Sequence, residues 1–161
     1  MHVAQTALKQ YKFHAIWWMV SPQNPLKSKH NSFQKRYAMT KKFVRHPKMI
    51  VTDIETQIRT QYSYETVAKL QSRFPKTKFI WIAGMDNARI FHKWDRWRDL
   101  LHKIPFIFFN RPPNGMALST NAVRLYHGQK NVRWNMRGKT RNISSTALRQ
   151  NRVVRALKSA I

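Results

Sequence analysis

Short apolar runs alternate with amphipathic stretches along most of the chain, and this alternation predicts strands separated by helices. The predicted strands cover residues 15–20, 49–52, 79–83 and 105–109. The predicted helices cover 4–11, 33–45, 63–74 and 86–103, with Ser63 as the N-cap of the third, and a last helix is capped by Ser144 or Ser145 and runs to about Leu157. Residues 111–140 are predicted to be mostly loop, with one strand near 131–136.

The predicted strands lack the alternation of apolar and polar residues that a sheet with one solvent face shows. Strands of this kind are buried on both faces of the sheet by other elements. The sequence therefore predicts an α/β fold, a doubly wound parallel sheet with helices on both sides. A chain of 161 residues with 42% apolar content is the size of one domain, so we expect 1–161 to form a single domain.

Polar residues follow three of the predicted strands, at the edge where ligands bind in such folds. Each residue alone is also compatible with an ordinary polar loop, but their joint placement favours a binding site. Asp86 has two interpretations, as the N-cap of the next helix or as an acceptor for a ribose hydroxyl. The residues are Ser21, Gln23, Asn24 and Lys27 after the first strand, Gly84 and Asp86 after the third, and Asn110 and Arg111 after the fourth.

The segment 143–149 (ISSTALR) places three hydroxyl residues at a predicted helix start, with Arg149 one turn later. Backbone N–H groups, the helix dipole and a guanidinium would converge there on an anion. An ordinary capped helix with a solvated Arg149 explains the pattern equally well. The aromatic residues of 91–97 (FHKWDRW) could stack on a planar ring, although this spacing more often indicates core.

Composition adds one further feature, the high net positive charge of the chain. Thirty-one Lys and Arg against six Asp and Glu give a net charge of +25, which favours a phosphate-rich partner, either nucleic acid or a nucleotide drawn to a cleft. The chain has no cysteine, so disulfides and cysteine-based sites are excluded. Its seven histidines lack zinc-ligand spacing, whereas Mg²⁺ carried by a triphosphate is compatible with the sequence. No signal peptide or membrane span is predicted, and we expect a cytoplasmic protein.

Five sequence blocks, in order and spread along nearly the whole chain, resemble bacterial nicotinate-nucleotide adenylyltransferases. The combination of the third block with the last is the most specific part of the resemblance. The blocks are 17–27 (WWMVSPQNPLK), 51–55 (VTDIE), 84–87 (GMDN) with the following Phe91, His92 and Trp94, 110–112 (NRP), and 143–149 (ISSTALR).

The resemblance implies a Rossmann-like nucleotidyltransferase fold and a reaction. The phosphate of nicotinate mononucleotide attacks the α-phosphorus of ATP, which gives deamido-NAD and pyrophosphate, with Mg²⁺ on the leaving phosphates. It also implies that Ser144, Ser145 and Arg149 hold the ATP phosphates, and that Gly84 and Asp86 bind the adenosine. Catalysis would rest on positioning and on stabilisation of developing charge.

For the second substrate, the resemblance places Asn24 and Lys27 near phosphate. It places Ser63, Trp94 and Arg111 beside the nicotinate nucleotide, where the indole of Trp94 offers a stacking face for the pyridine ring. Two other classes of function stay open beside this one. They are a basic nucleic-acid-binding protein, motivated by the charge, and a related nucleotidyltransferase with another substrate.

The sequence departs from the family pattern in one respect. Family members begin with a strand and a G-x-F-x-P-x-H-x-G-H block, whose histidines grip the transferred phosphates, and these 161 residues contain no such block. The expectation is therefore a family member whose first strand and catalytic histidines are missing at the N-terminus, and which is also short at the C-terminus. We expect weak or no turnover from these residues alone.

Overall fold

A computed structural model of the chain describes residues 1–22, 32–110, 121–126 and 130–136. The strands are β1 Ile16–Met19, β2 Met49–Thr52, β3 Trp81–Gly84, β4 Phe106–Phe109 and β5 Val132–Asn135. The helices are α1 His2–Tyr11, α2 Phe33–Phe43, α3 Ile54–Gln57, α4 Ser63–Arg73, α5 Met85–Ile90, α6 Trp97–Lys103 and α7 Ala122–Leu125, with a 3₁₀ turn at Phe91–Lys93. All four strands predicted from apolar runs are present, as is the strand predicted near 131–136.

Every strand pairing is parallel, as predicted, but the strands form two sheets instead of one. β1 pairs with β2, and β3, β4 and β5 lie side by side in that order. The free edges of β1 and β3 line one cavity of about 1680 Å³. The two sheets are separate because no strand of the described residues lies between these edges.

The strand β4 shows how both faces of the larger sheet are covered. All four of its residues are buried. Phe106 and Phe108 belong to a core that includes residues of α4, α5, α6 and α7, whereas Ile107 and Phe109 pack against Ala7 of α1. Since neighbouring residues of a strand point to opposite faces, helices lie on both sides of the sheet. This confirms the doubly wound α/β prediction.

The helix α1 lies against both sheets. Its Ala4 packs with Met49 of β2 and with Val44, and its fully buried Ala7 packs with Ile107 and Phe109 of β4. The far end of the helix is held by Asn135, the last residue of β5. The Asn135 side-chain amide donates to Gln10 Oε1 and, at 3.2 Å, to the Tyr11 hydroxyl. Small side chains on α1 allow this close approach.

Two predictions of local structure were wrong, and two short helices were missed. The helix predicted over 86–103 is broken into α5, the 3₁₀ turn and α6, because Trp94 is extended and Arg96 takes a left-handed conformation with φ 46°. Ser63 is the first residue of α4 and makes no capping bond, since the N-cap is Tyr62. The short helices α3 and α7 were not predicted. No helix in the described ranges is long and apolar enough to cross a bilayer.

Candidate functional site at the carboxyl ends of the strands

Polar residues gather where the strands end, and parallel pairing brings the ends within each sheet to one edge. Ser21 lies just beyond β1, Asp53 directly follows β2, and Asn110 directly follows β4. β3 ends at Gly84 and β5 ends at Asn135. We call this edge the carboxyl rim. Ligand sites of open α/β sheets lie at such a rim.

Arg36 of α2 fixes the chain where it leaves β1. Its guanidinium donates to the carbonyl oxygen of Ser21 at 2.7 Å and to that of Pro22 at 2.5 Å. Two donors from one planar group define the direction of both carbonyls. The same exit borders a shallow recess of about 380 Å³, which Met39 and Thr40 of α2 also line. The loop that follows β1 therefore starts from a fixed position.

Glu55 is a buried acid at this rim, with 7% of its surface exposed. The hydroxyl of Thr66, in α4, lies 3.3 Å from Glu55 Oε1, to which it can donate. The Thr66 hydroxyl also lies 2.9 Å from that of Thr60 and 3.1 Å from the carbonyl oxygen of Tyr62. The side chain of Ser21 makes a further hydrogen bond with Glu55. This cluster ties the ends of β1 and β2 to the start of α4.

Burial raises the pKa of the Glu55 carboxyl above its ordinary value, and the hydrogen bonds with Ser21 and Thr66 lower it in part. Desolvation disfavours the charged form, while hydroxyl donors favour it. Glu55 is one of only six acidic residues in the chain. A buried carboxyl with a raised pKa at a strand end is a feature typical of functional sites, although structural networks show it as well.

Gly84 and Asp86 stand at the end of β3, as predicted, but Asp86 is not an N-cap. Gly84 is buried and occupies the N-cap position of α5, so Asp86 falls in the first turn, where its side chain is exposed. Of its two interpretations, capping is thus wrong, and the role of ribose acceptor stays a prediction. Across the rim, the Asn110 side-chain oxygen is buried and has no hydrogen-bond partner among the described residues.

Trp94 lies away from Gly84. Its ring packs at 4.8 Å from that of Phe91 and at 6.2 Å from that of Trp81, the first residue of β3. Gly84 is three residues further along this strand, which is about 10 Å. The described contacts do not bring Trp94 together with Gly84 and Asp86. Ser63 is half-buried at the start of α4. It comes three residues before Thr66 and is therefore close in sequence to the Glu55 cluster.

Six of the ten predicted site residues lie outside the described residues, and their placement is untested. They are Asn24, Lys27, Arg111, Ser144, Ser145 and Arg149.

Sequence reasoning missed the roles of Glu55, Thr66 and Asn135. Glu55 and Thr66 are eleven residues apart, on two different helices, so local spacing gives no sign of their contact. One signal was present in the sequence: two acidic residues, Asp53 and Glu55, follow an apolar strand within three positions, which is notable in a chain with so few acids.

Comparison with known proteins agrees with this architecture. Residues 1–151 match the family described as cytidylyltransferase-like. A probable nicotinate-nucleotide adenylyltransferase of Cereibacter sphaeroides is 38% identical over 128 residues, which cover 78% of this chain and 69% of the relative. Proteins with the same name from Parvibaculum lavamentivorans and Agrobacterium fabrum are 41% and 33% identical, over 70% and 92% of this chain and 57% and 89% of the relatives.

A doubly wound parallel fold with a polar carboxyl rim is the setting in which nucleotide chemistry takes place in α/β proteins. The family match extends over all five strands and the seven described helices. The chain therefore belongs to the cytidylyltransferase-like family, and within it to the nicotinate-nucleotide adenylyltransferases.

Proposed function

We propose that this protein is a nicotinate-nucleotide adenylyltransferase, which transfers AMP from ATP to nicotinate mononucleotide and releases deamido-NAD and pyrophosphate. The phosphate oxygen of the mononucleotide forms a bond to the α-phosphorus of ATP, and the bond from that phosphorus to the pyrophosphate oxygen breaks. The observation that carries the proposal is the 33–41% identity to proteins named probable nicotinate-nucleotide adenylyltransferase, together with a fold whose strand ends are polar.

In this proposal the adenosine lies at the end of β3. Gly84 has no side chain to obstruct the approach of a ribose, and the exposed Asp86 carboxylate can accept a hydrogen bond from a ribose hydroxyl. Ser144, Ser145 and Arg149 hold the triphosphate. Charge on its oxygens would be neutralised by the guanidinium and by the backbone N–H groups of a helix start.

The mononucleotide lies on the other side of the α-phosphorus, with its phosphate near Asn24 and Lys27 and its base near Ser63 and Arg111. Trp94 borders the pyridine ring in this arrangement. The Trp94 indole packs on Phe91 and Trp81. The pyridine ring can therefore contact it only if the substrate reaches toward the 3₁₀ turn or if the indole moves when the substrate binds.

Mg²⁺ would enter with ATP. The described residues contain no group of three or more His, Asp or Glu side chains that could hold a metal ion. The proposal is a cation bound mainly by triphosphate oxygens and water, as Mg²⁺ commonly is. When bound, the ion would neutralise charge on the leaving pyrophosphate.

The test measures pyrophosphate release with ATP, Mg²⁺ and nicotinate mononucleotide, using the protein as its gene encodes it, with any residues upstream of Met1 included. Turnover that depends on both substrates is expected, and its absence would refute the proposal. The 161-residue chain is assayed in parallel, and we expect weak or no turnover from it, because it contains no G-x-F-x-P-x-H-x-G-H block.

Asp86→Asn in the extended protein tests the adenosine site. We expect the KM for ATP to rise roughly tenfold, the usual effect of losing one charged hydrogen bond of 1.5 kcal/mol or more. Asp95→Asn is the matched control, since Asp95 is an exposed acid in the link before α6. An unchanged KM in the Asp86 variant would remove this residue from the site.

The alternative of a nucleic-acid-binding protein is not favoured. Basic side chains are exposed on several helices, such as Lys35 and Lys41 of α2, Lys69 of α4 and Arg98 of α6. A nucleic-acid site concentrates positive charge in one patch or stripe. In the described part of the chain the charge is spread.

A further inference from the structure

The connection between β2 and α4 is fixed by its own hydrogen bonds. The Thr60 N–H donates to the Glu55 carbonyl oxygen at 2.9 Å, and the Lys69 ammonium of α4 donates to the Ile58 carbonyl oxygen at 2.8 Å. Arg59 turns the chain with a left-handed φ of 51°. A segment held by several hydrogen bonds opens less readily than a free loop, so the Glu55 side chain starts from a backbone of fixed position.

The start of α4 is held by Thr66. Its backbone N–H donates to the Tyr62 carbonyl oxygen at 3.0 Å, and its hydroxyl lies 3.1 Å from the same oxygen. Tyr62 is the N-cap of α4 and directly precedes Ser63. The position of Ser63 therefore depends on the contacts that Thr66 makes.

The hydroxyl groups around Glu55 have one consistent order of donors. A hydroxyl carries one proton, so Thr66 can donate to only one acceptor at a time. Donation to Glu55 Oε1, at 3.3 Å, lets the Thr60 hydroxyl donate to that of Thr66 at 2.9 Å. Ser21 bonds the same carboxyl group with its side chain. Glu55 thus joins hydroxyl groups from the exit of β1 and from α4.

Stability alone is a weak explanation for an acid in this place. Burial disfavours a charged carboxyl, and this cost offsets much of what its hydrogen bonds contribute. The carboxyl adds geometric definition, because a hydrogen bond holds its partners within a narrow range of distances and angles. Glu55, with 7% of its surface exposed, therefore fixes the distance between the exit of β1 and the start of α4.

The two parts that Glu55 joins serve one substrate in the proposed reaction. There, the phosphate of nicotinate mononucleotide lies beyond the exit of β1, and its base lies near Ser63 at the start of α4. The adenosine of ATP lies instead at Gly84 and Asp86, and Gly84 ends a strand of the other sheet. A change in the distance between the exit of β1 and the start of α4 would therefore affect binding of the mononucleotide and spare that of ATP.

We propose that Glu55 is a positioning residue for nicotinate mononucleotide: it acts through Ser21 and Thr66, fixes the distance between the exit of β1 and the start of α4, and makes no contact with the substrate itself. The inference rests on the proposed function, from which it takes the substrate. The geometry that carries it is the contact of one buried carboxyl with hydroxyl groups of both elements.

Steady-state kinetics of the protein as its gene encodes it, with any residues upstream of Met1 included, provide the test. Glu55→Leu keeps most of the side-chain volume and removes both oxygens, and Thr66→Val removes the hydroxyl. We expect each to raise the KM for nicotinate mononucleotide roughly tenfold and to change the KM for ATP less than about twofold, because a small misplacement of a binding group is enough for such a loss. Glu55→Gln keeps an acceptor and Thr66→Ser keeps a donor, and we expect both to resemble the unaltered protein.

A variant that only loses stability is the matched control. Leu101→Val removes one methylene group from the core that contains Phe106 of β4, where Leu101 is fully buried. It should lower the Tm and leave both KM values unchanged. If the KM for nicotinate mononucleotide rises as much in Leu101→Val as in Glu55→Leu, general loosening of the fold explains the effect and the proposal is wrong.

Ser21→Ala tests whether Glu55 acts through Ser21. If it does, the double variant of Ser21→Ala and Glu55→Leu should have a KM for nicotinate mononucleotide no higher than that of Glu55→Leu alone, because both changes break the same link. Effects that multiply in the double variant would mean that the two residues act on the substrate independently. That result would also overturn the proposal.

The remaining results distinguish this proposal from the proposed function. If the protein is active and Glu55→Leu leaves the KM for nicotinate mononucleotide unchanged, or raises that for ATP equally, the function stands and the role of Glu55 is refuted. If the unaltered protein shows no turnover, the proposed function fails. Titration calorimetry with nicotinate mononucleotide then decides: weaker binding to Glu55→Leu than to the unaltered protein supports the positioning role, and equal or absent binding refutes it.

Discussion

Replacing Thr66 with valine removes one hydroxyl from the buried Glu55 cluster while it nearly preserves the shape of the side chain. Thr66 is fully buried, and its hydroxyl lies within hydrogen-bond reach of Glu55 Oε1, of the Thr60 hydroxyl and of the Tyr62 carbonyl. In the variant the carboxylate loses a donor that it cannot replace with water.

The expected cost depends on the charge of Glu55. A hydrogen bond to an ionised group contributes about 1.5–3 kcal/mol, and one between neutral groups about 0.5–1.5 kcal/mol. For a domain of this size, each kcal/mol corresponds to a Tm change of roughly 2–4 °C. We therefore expect Thr66→Val to lower the Tm by roughly 3–12 °C at a pH where Glu55 is ionised, and by less where it is protonated.

The sign of the pH dependence follows from the direction of the pKa shift. Burial raises the pKa of Glu55 in the folded protein above the ordinary value of 4.5, so the carboxyl favours the folded state below 4.5 and loses that advantage as the pH rises through the folded-state pKa. Loss of the Thr66 donor raises the folded-state pKa further. The cost of the variant is then largest above that pKa and shrinks as the pH falls toward 4.5.

The assay is thermal denaturation at a series of pH values from 4.5 to 8, followed by circular dichroism. Thr66→Ser keeps the hydroxyl and removes the methyl group, so it is the control for a change in packing at this position without loss of the donor. In a Glu55→Gln protein, Thr66→Val should lower the stability by the same amount at every pH, because the titrating carboxyl is absent. A cost for Thr66→Val that is the same at every pH would refute the assignment of its hydroxyl to the carboxylate.

Three further predictions concern packing and surface charge. Phe91→Ala should destabilise the protein by about 3–5 kcal/mol, because its fully buried ring contacts Phe106 at 5.1 Å and Phe108 at 5.7 Å, and Phe91→Leu should cost much less when both are measured by urea denaturation. Asn135→Ala should cost about 1–3 kcal/mol and speed hydrogen exchange in α1, since its amide holds the end of that helix; unchanged exchange would contradict that role. Arg96→Gly should leave the urea midpoint nearly unchanged, because relief of the left-handed conformation offsets the lost 3.0 Å ion pair with Asp99 and the contact with the Tyr64 ring; a clear fall in the midpoint would contradict this balance.

The strands were predictable because their signal is local. Each apolar run from β1 to β4 is continuous and is bounded by a polar residue, glycine or proline, and burial on both faces produces such runs whatever the tertiary arrangement. The division into two sheets was not predictable, since it depends on which strands become neighbours. An apolar run does not indicate which strand it will pair with.

The break at 94–96 shows a second limit. The periodicity of 86–103 fits one helix, and no glycine or proline interrupts it. In the structure Arg96 adopts φ 46° while its guanidinium lies 3.9 Å from the centre of the Tyr64 ring. Packing of α6 against α4 through such contacts outweighs a helical preference of a few tenths of a kcal/mol per residue.

At the carboxyl rim, the sequence predicted which residues lie at the strand ends, but not which side chains contact each other. Gly84, Asp86 and Asn110 lie at or just after strand ends and could be named from that alone, because ligands of α/β folds bind at the carboxyl ends of the strands. The Glu55–Thr66 contact joins α3 to α4, and the tie between Asn135 and α1 joins residues 125 positions apart in the chain. Contacts of this kind depend on the complete fold.

Ser21 is held by two groups of different chemistry. Arg36 binds its carbonyl oxygen with a guanidinium, whereas Glu55 binds its side chain with a carboxyl that takes up a proton as the pH falls. Acidification would therefore weaken the hold on the hydroxyl and leave the backbone in place. At the exit of β1, one contact holds the backbone and the other holds a side chain through a carboxyl that titrates. Acid should therefore change the hydrogen bonding of the Ser21 side chain before it changes the backbone conformation.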